Sequence, residues 1–554
     1  MSSSLRRSGE GTSAPLDGEA RPRLASGVTF EHTGDDRWVT MLHGVPSSRV
    51  SPAVVALLSS MDGETTLRDL QLRFAPSDPT PTFLALIQRF RDCGLLADAP
   101  RTPPGRVSFR PPLTVQFATM HAPAIFARLS GRAAPLPLSR LAVPLGILLC
   151  AGLIAAALQA RDIWRVLTSP LPLVELMILV AVLACLTLLH ECAHGITLTR
   201  FGGRPRRAGF MLIYLAPAFF VDVTDGWRLG ERRERVAVAL AGPAVHGAVG
   251  AATALAALAT PPGEQERMLL LLALSCAGIV VVNLIPFVRF DGYLALMSAL
   301  DEPNLRDRAM HDARDALART LFGGARADRR LGRWWSVPFG LASIVTPVVL
   351  VLTAVARIAD ALAGWGPVWG LVTVALGATV TSVGIVILVR GLCRVLRSGS
   401  SPLRFGLVTA ALTAAVITAG AVIPVPLSAT YGFVTERGRV VLVQAGEAPR
   451  AEIPAAAPVA LTTNGILGHE RIGTGTATPR EPRSIAVPVE ALLPVLAGNA
   501  TTDAVIVAYV AVDVEDRGAV VSGRARVDLG TRNLWQALWA RGVEAPLSPL
   551  LSDK

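Results

Sequence analysis

The sequence predicts a polytopic α-helical membrane protein of about seven spans, flanked by a small N-terminal cytoplasmic domain and a C-terminal β-rich extracytoplasmic domain. Three observations carry that expectation. Of 554 residues, 51% are hydrophobic and 17% charged, and the mean hydropathy is +0.47, which is too apolar for an ordinary soluble chain. Several apolar runs approach the roughly twenty residues that cross a bilayer as a helix. After Pro424 the composition turns to Val, Thr, Gly and Ala in alternating runs, the pattern of strands.

Residues 1–27 are rich in Ser, Gly, Pro, Arg and Glu with little apolar periodicity, and they read as a disordered tail. The first twenty residues lack a continuous apolar core, so no cleavable signal peptide is expected and the N-terminus should stay cytoplasmic. Residues 28–99 read as a small soluble domain. It has a strand at Arg37–Leu42 and helices at Ser51–Met61, Thr66–Phe74 and Thr82–Leu96, the first capped by Ser51 with Pro52 in its opening turn. Residues 100–140 are rich in Pro and Arg and read as a linker reaching the membrane with Arg128, Arg132 and Arg140. A membrane domain follows over 141–424. Its spans are expected near 141–160, 171–196, 236–259, 268–290, 336–356, 366–389 and 405–423.

Charge orients these spans. The net charge of +11 is almost wholly arginine, since Lys554 is the only lysine. Residues 197–235 hold Arg200, Arg204, Arg206, Arg207, Arg228, Arg232, Arg233 and Arg235, and residues 291–335 hold eight more from Arg306 to Arg333. Pro261–Arg267 and Ala359–Trp365 are short and carry one arginine between them, Arg267. The positive-inside rule then puts the N-terminus in the cytoplasm and everything after 424 outside, with His190 and Asp291 at the cytoplasmic ends of their helices. No groove-reading motif accompanies the arginines, which excludes a nucleic-acid partner. Cys93, Cys150, Cys185, Cys192, Cys276 and Cys393 form no CxxC pair, and none lies in the C-terminal region to build a disulfide framework there.

Ala208–Asp222 is apolar, too short to cross, and broken by Pro217. A re-entrant or hairpin segment fits; its strand edge would hold a substrate in extended form or serve packing alone. In residues 425–554, the runs Arg439–Val443, Asp503–Val512 and Ala519–Leu529 are strands of a β domain without a catalytic cluster.

The chemistry is concentrated in Leu189-His190-Glu191-Cys192-Ala193-His194-Gly195. On a helix, residues four apart share a face, so His190 and His194 can offer two imidazoles to one zinc ion, with Glu191 beside the open coordination position. Such a match arises by chance in soluble chains. This one ends an apolar run from Leu171 to Leu189 interrupted only by Glu175, where ionisable groups are costly unless paired, solvated or functional. A catalytic zinc needs a third protein ligand, and Asp291 in Asn283-Leu284-Ile285-Pro286-Phe287-Val288-Arg289-Phe290-Asp291-Gly292 supplies a carboxylate near a second helix end. An Asp-Gly alone is ordinarily a cap or a turn. Asp222, Asp225 and His246 are further candidates with ordinary structural roles open to them, a turn for the two carboxylates and interhelical packing for the histidine.

His190 to His194, Gly202-Gly203, Ala241-Gly242-Pro243, Asn283-x-x-Pro286 and Asp291-Gly292 together resemble the site-2 protease family of intramembrane zinc metalloproteases, over roughly residues 171–300. Within it, Asp222-Val223-Thr224-Asp225-Gly226-Trp227 followed by Arg232 to Arg235 looks like the peptide zinc metalloproteases encoded with ribosomally made, modified peptides of the daptide type. The strand and three helices of residues 28–99 resemble the winged-helix peptide-recognition domains typified by the pyrroloquinoline quinone synthesis protein D, which take a leader peptide as an added strand. The C-terminal domain is similar to the β domains of membrane-fusion adaptors of peptide exporters.

These resemblances imply that His190, His194 and Asp291 bind Zn2+, that Glu191 moves a proton from the attacking water to the leaving amine, and that Asn283 orients the peptide or stabilises the oxyanion. Pro286 would shape the helix break. The expected activity is endoproteolysis at the cytoplasmic face of the cell membrane, with a modified precursor peptide as substrate and an exporter or other biosynthetic enzymes as partners. Two other readings stand beside it: regulated cleavage of a membrane-bound anti-sigma factor, and a non-proteolytic export or immunity component. The first usually carries an inserted peptide-binding domain with a Gly-Leu-Gly-Phe-like loop, which this chain lacks; the second has no use for Glu191.

Overall fold

A computed structural model of the chain describes residues 17–32, 38–42, 45–97, 107–110, 114–132, 138–213, 216–323, 330–362, 367–397, 401–445, 453–512 and 522–547. They form two compact units. One comprises Met1–Leu138, Cys185–Val245 and Leu294–Asp301; the other comprises Ser139–Ala184, His246–Tyr293 and Glu302–Lys554.

The chain opens with an antiparallel sheet of β1 (Val28–His32), β2 (Trp38–Leu42) and β3 (Val45–Val50), in that order, with Val28 opposite Leu42 and His32 opposite Trp38. Three helices follow: α1 (Pro52–Ser59), α2 (Leu67–Phe74) and α3 (Thr80–Asp92). The Ser51 hydroxyl caps α1 by accepting from Val54 N–H, and Thr66 caps α2 by accepting from Asp69 N–H. After α3, Gly94 takes the left-handed φ of 76°, which lets Leu95 N–H reach back to the Phe90 carbonyl and closes the helix. Leu58, Leu67, Leu70, Phe83, Ile87 and Leu96 form the core. One strand was expected and three are present. The expected tail is shorter too: residues 1–16 lie outside the described residues, but Arg23 and Leu24 bridge to Asp62 and Leu96.

Residues 100–140 hold more than a linker. β4 (Val107–Arg110), β5 (Thr114–Thr119) and α4 (Ala122–Arg132) lie there. Membrane-type helices begin with α5 (Leu138–Leu158), followed by the short amphipathic α6 (Ala160–Thr168), the two-residue β6 (Leu171–Pro172) and the long α7 (Leu173–Arg200). β7 (Ala208–Ile213) and β8 (Ala216–Val221) then make the expected hairpin. It joins β4 and β5 in one sheet ordered β4-β5-β7-β8, with Thr119 opposite Ala208 and β8 at the edge.

The helical part continues with α8 (Arg232–Leu258), α9 (Glu264–Asn283), α10 (Asp291–Leu300), α11 (Leu305–Phe322), α12 (Ser336–Leu362), α13 (Pro367–Arg397) and α14 (Pro402–Val422). Among the described residues, seven helices are long and apolar enough to cross a membrane: those containing 140–158, 173–200, 232–258, 264–283, 336–359, 368–397 and 402–422. This is the architecture of a multi-pass membrane protein. The span expected at 268–290 is corrected, since α9 stops at Asn283 and residues 284–290 turn instead. The apolar run continues past the break, but Pro286 cannot supply a helical N–H.

Beyond α14 come β9 (Pro424–Glu436), β10 (Arg439–Gln444), β11 (Ala457–Thr462), β12 (Arg471–Pro488), β13 (Val495–Leu496), β14 (Thr501–Val512), β15 (Ser522–Asn533) and α15 (Leu534–Trp539). Six of the strands close a barrel in the order β10-β14-β12-β11-β15-β9, shut by the pairing of β9 with β10. Phe433, Leu442, Val459, Ala508 and Val527 belong to one buried cluster of its core. Residues 519–521 of the third expected strand lie outside the described residues.

Candidate metal centre

α7 places His190 and His194 one turn apart, both buried, and the helix ends cleanly just beyond them. Gly202 at φ 86° turns the chain, and Gly203 N–H bonds back to the Leu198 carbonyl. The two Nε2 atoms stand 3.2 Å apart, with the rings edge to face. Phe126 of α4 packs just past the second of them: a Cβ on Gly195 would sit 2.4 Å from its ring.

α8 completes this side of the site through its backbone. The His194 Nδ1 atom lies 2.7 Å from the Val238 carbonyl, which fixes Nδ1 as the protonated nitrogen and leaves Nε2 as a lone-pair donor. One turn on, Gly242 faces both rings. A Cβ there would stand 2.4 Å from each Nε2, so only glycine leaves room beside the imidazole pair.

Asp291 opens α10. Its ligand oxygen and the two imidazole nitrogens all lie within 4.8 Å of one another, and among the described residues no other group of three His, Cys, Asp or Glu does this. Gly292 makes the approach possible, because a Cβ there would meet the Leu284 carbonyl at 2.4 Å as the chain doubles back. At the far end of α10, Asp301 is held by buried Arg235 of α8 at 2.6 Å and by Arg232 at 3.6 Å. For zinc with nitrogen and oxygen donors at about 2.0–2.2 Å, tetrahedral neighbours stand roughly 3.3–3.6 Å apart. Two neutral imidazoles, one carboxylate and the clearance at Gly242 fit such an ion.

Glu191, the residue after His190, is half-buried, and its Oε2 accepts the backbone N–H of Val221, the last residue of edge strand β8, at 3.0 Å. The structure thus brings four of the five expected site residues together or next to one another in the chain. The fifth, Asn283, ends α9 with its side-chain amide donating to the Ile279 carbonyl of its own helix at 3.0 Å. The Val238 carbonyl, the Val221 N–H and the clearance at Gly242 were not expected. The first two are backbone groups without a residue-type signal, and Gly242 shows in the sequence only as part of Ala241-Gly242-Pro243.

The remaining candidates have structural work. Asp222 accepts from the Thr224 N–H and hydroxyl in a turn. Asp225, 1% exposed, accepts from Arg204 N–H at 2.8 Å and faces Arg206 and Arg228, each at 3.6 Å. His246 is buried in α8 and outside the three-ligand group. Glu175, the one acid in the apolar run, pairs with Arg267 of α9.

Comparison with family models, with curated proteins and with solved structures returns no match to this chain.

Proposed function

We propose that the protein is a zinc-dependent intramembrane endopeptidase of the site-2 protease type. The reading rests on one observation: two imidazoles and a carboxylate converge within 4.8 Å, with Glu191 next to His190 in the chain, in a protein whose described residues include seven long apolar helices. His190, His194 and Asp291 would hold the zinc, which when bound polarises a peptide carbonyl and makes water nucleophilic at neutral pH. Glu191 takes a proton from the attacking water and delivers it to the leaving amine, while the Val221 N–H fixes its carboxylate in place. Edge strand β8 ends at that same N–H, so an extended peptide added along it would run toward Glu191. Asn283 stands at the end of α9 as the neutral donor for the peptide or the oxyanion.

The substrate we assign is a ribosomally made, modified precursor peptide, cut near the cytoplasmic face, with residues 28–99 as the leader-binding module. The test is co-expression with precursor peptides from the neighbouring genes, followed by mass spectrometry of the products. The wild type should create a new N-terminus. Glu191→Gln should retain zinc and cut about 10²–10⁴-fold more slowly, the usual contribution of a general base. Full activity in that variant would sink the mechanism. Identical products from both proteins, with export or toxicity of the peptide still dependent on the chain, would replace the protease with a transport or immunity component.

A further inference from the structure

Where the last long helix meets the barrel, the chain builds a pocket for which the proposed peptidase has no use. Trp535 of α15 donates its indole N–H to the Ile417 carbonyl of α14 at 3.1 Å. Its ring occupies the notch at Gly420, where a Cβ would stand 2.0 Å from the indole nitrogen. Pro546, just after α15, closes on Gly370 at the start of α13, where a Cβ would meet the Pro546 carbonyl at 1.9 Å. Residues 534–546 therefore lie across the start of α13 and the finish of α14, two helices of membrane-spanning length. Around them Trp369, Trp535, Leu538 and Trp539 are 42%, 44%, 54% and 58% exposed. Exposed tryptophans gathered at the end of a span mark the height where hydrocarbon gives way to headgroups.

Within this belt Arg532, Trp535, Gln536, Trp539 and Glu544 line an open cavity of about 610 Å³. Arg532 Nη1 and Glu544 Oε2 stand 3.5 Å apart, each about half exposed. An exposed pair of that kind opens at little cost, so both charges are available to a ligand carrying both signs.

We propose that this cavity binds the headgroup of a zwitterionic phospholipid of the ethanolamine type, drawn from the leaflet on the barrel's side. The Arg532 guanidinium takes the phosphate, which its donor fork matches. Glu544 and the face of Trp539 take the ammonium. The acyl chains leave over Leu538 and the exposed Val416 and Ile417 of α14. An anionic lipid with no amine would satisfy Arg532 but face Glu544 with like charge.

Native mass spectrometry of the full-length protein, released from nanodiscs of dioleoyl-phosphatidylethanolamine and dioleoyl-phosphatidylglycerol in equal amounts, tests this. The expected result is one retained phosphatidylethanolamine per chain. Arg532→Gln and Glu544→Gln should each lower that retention about ten-fold, the scale of one charge-assisted hydrogen bond. Glu544→Gln alone should also admit phosphatidylglycerol. Arg471→Gln, on barrel strand β12, should retain lipid as the wild type does. If Arg532→Gln lowers the melting temperature, Glu544→Gln together with Trp539→Ala decides the matter. Undiminished phosphatidylethanolamine in the variants, equal retention of the two lipids by the wild type, or a retained peptide in place of lipid would overturn the assignment.

Discussion

Gly242 decides whether the imidazole pair has room for an ion. Its backbone passes so close to His190 and His194 that a single methyl would stand 2.4 Å from both Nε2 atoms. Gly242→Ala should therefore lose nearly all bound zinc, measured by elemental analysis of the purified protein. The same change gains about 1 kcal/mol in intrinsic helix propensity. A drop in zinc without a drop in helical content thus reports lost space at the site, and one zinc per chain in Gly242→Ala would refute the geometry. The His-x-x-x-His spacing on an apolar helix was legible in the sequence because four residues make one turn and the residue types name the chemistry. The groups that orient those imidazoles were not, because the Val238 carbonyl and Val221 N–H are the same in every residue and acquire a role only when α8 and β8 pack against α7.

Among the connecting elements, the loop from Thr463 to Glu470 ties the barrel to the end of α6. Leu467 and Gly468 donate their N–H groups to the Leu167 carbonyl, and Leu171 N–H bonds to Pro494. His469 braces this loop. One ring nitrogen sits 3.3 Å from the Thr463 carbonyl, and the other lies 2.9 Å from the Arg524 guanidinium, to which a neutral imidazole must be the acceptor. Burial first, and then the Arg524 charge, hold the imidazole below the ordinary histidine value of 6.5. The folded state thus binds fewer protons than the unfolded one just below that value. The stabilisation is whole above about pH 6.5 and is lost as pH falls through the folded value. We expect the protection of the Leu467 and Gly468 amides, corrected for the intrinsic slowing of exchange in acid, to fall between pH 7.5 and about pH 5, and His469→Gln to flatten that response. An identical pH response in both proteins would exclude His469 as the brace. The helices were readable from hydropathy and caps such as Ser51 and Thr66, which are local signals. β4 and β5 were not, because β5 finds its partner β7 only about ninety residues later, and a Pro-rich flank conceals it.

At the scale of the whole chain, the order of seven spans was legible while the closing of the barrel was not. Hydropathy acts within twenty residues, whereas the pairing of β9 with β15 joins Val434 to Ser522. Sidedness can be argued from two independent facts. Arginines crowd the stretch after α7, the stretch from α11 to α12, and the last turn of α13 with Arg394 and Arg397, and the positive-inside rule would put those ends in the cytoplasm. Counting helices from there puts both the α5–α7 connection and everything after α14 on the opposite side. The structure joins those two segments directly, since β6 pairs in parallel with β13. A fluorescent-protein fusion at the N-terminus should therefore fluoresce, and an alkaline-phosphatase fusion at the C-terminus should be active, with the converse fusions silent. The reversed pattern would put His190, His194 and Asp291 at the outer face. The proposed peptidase would then have to draw its peptide from outside the cell, and leader removal before export would no longer be open to it.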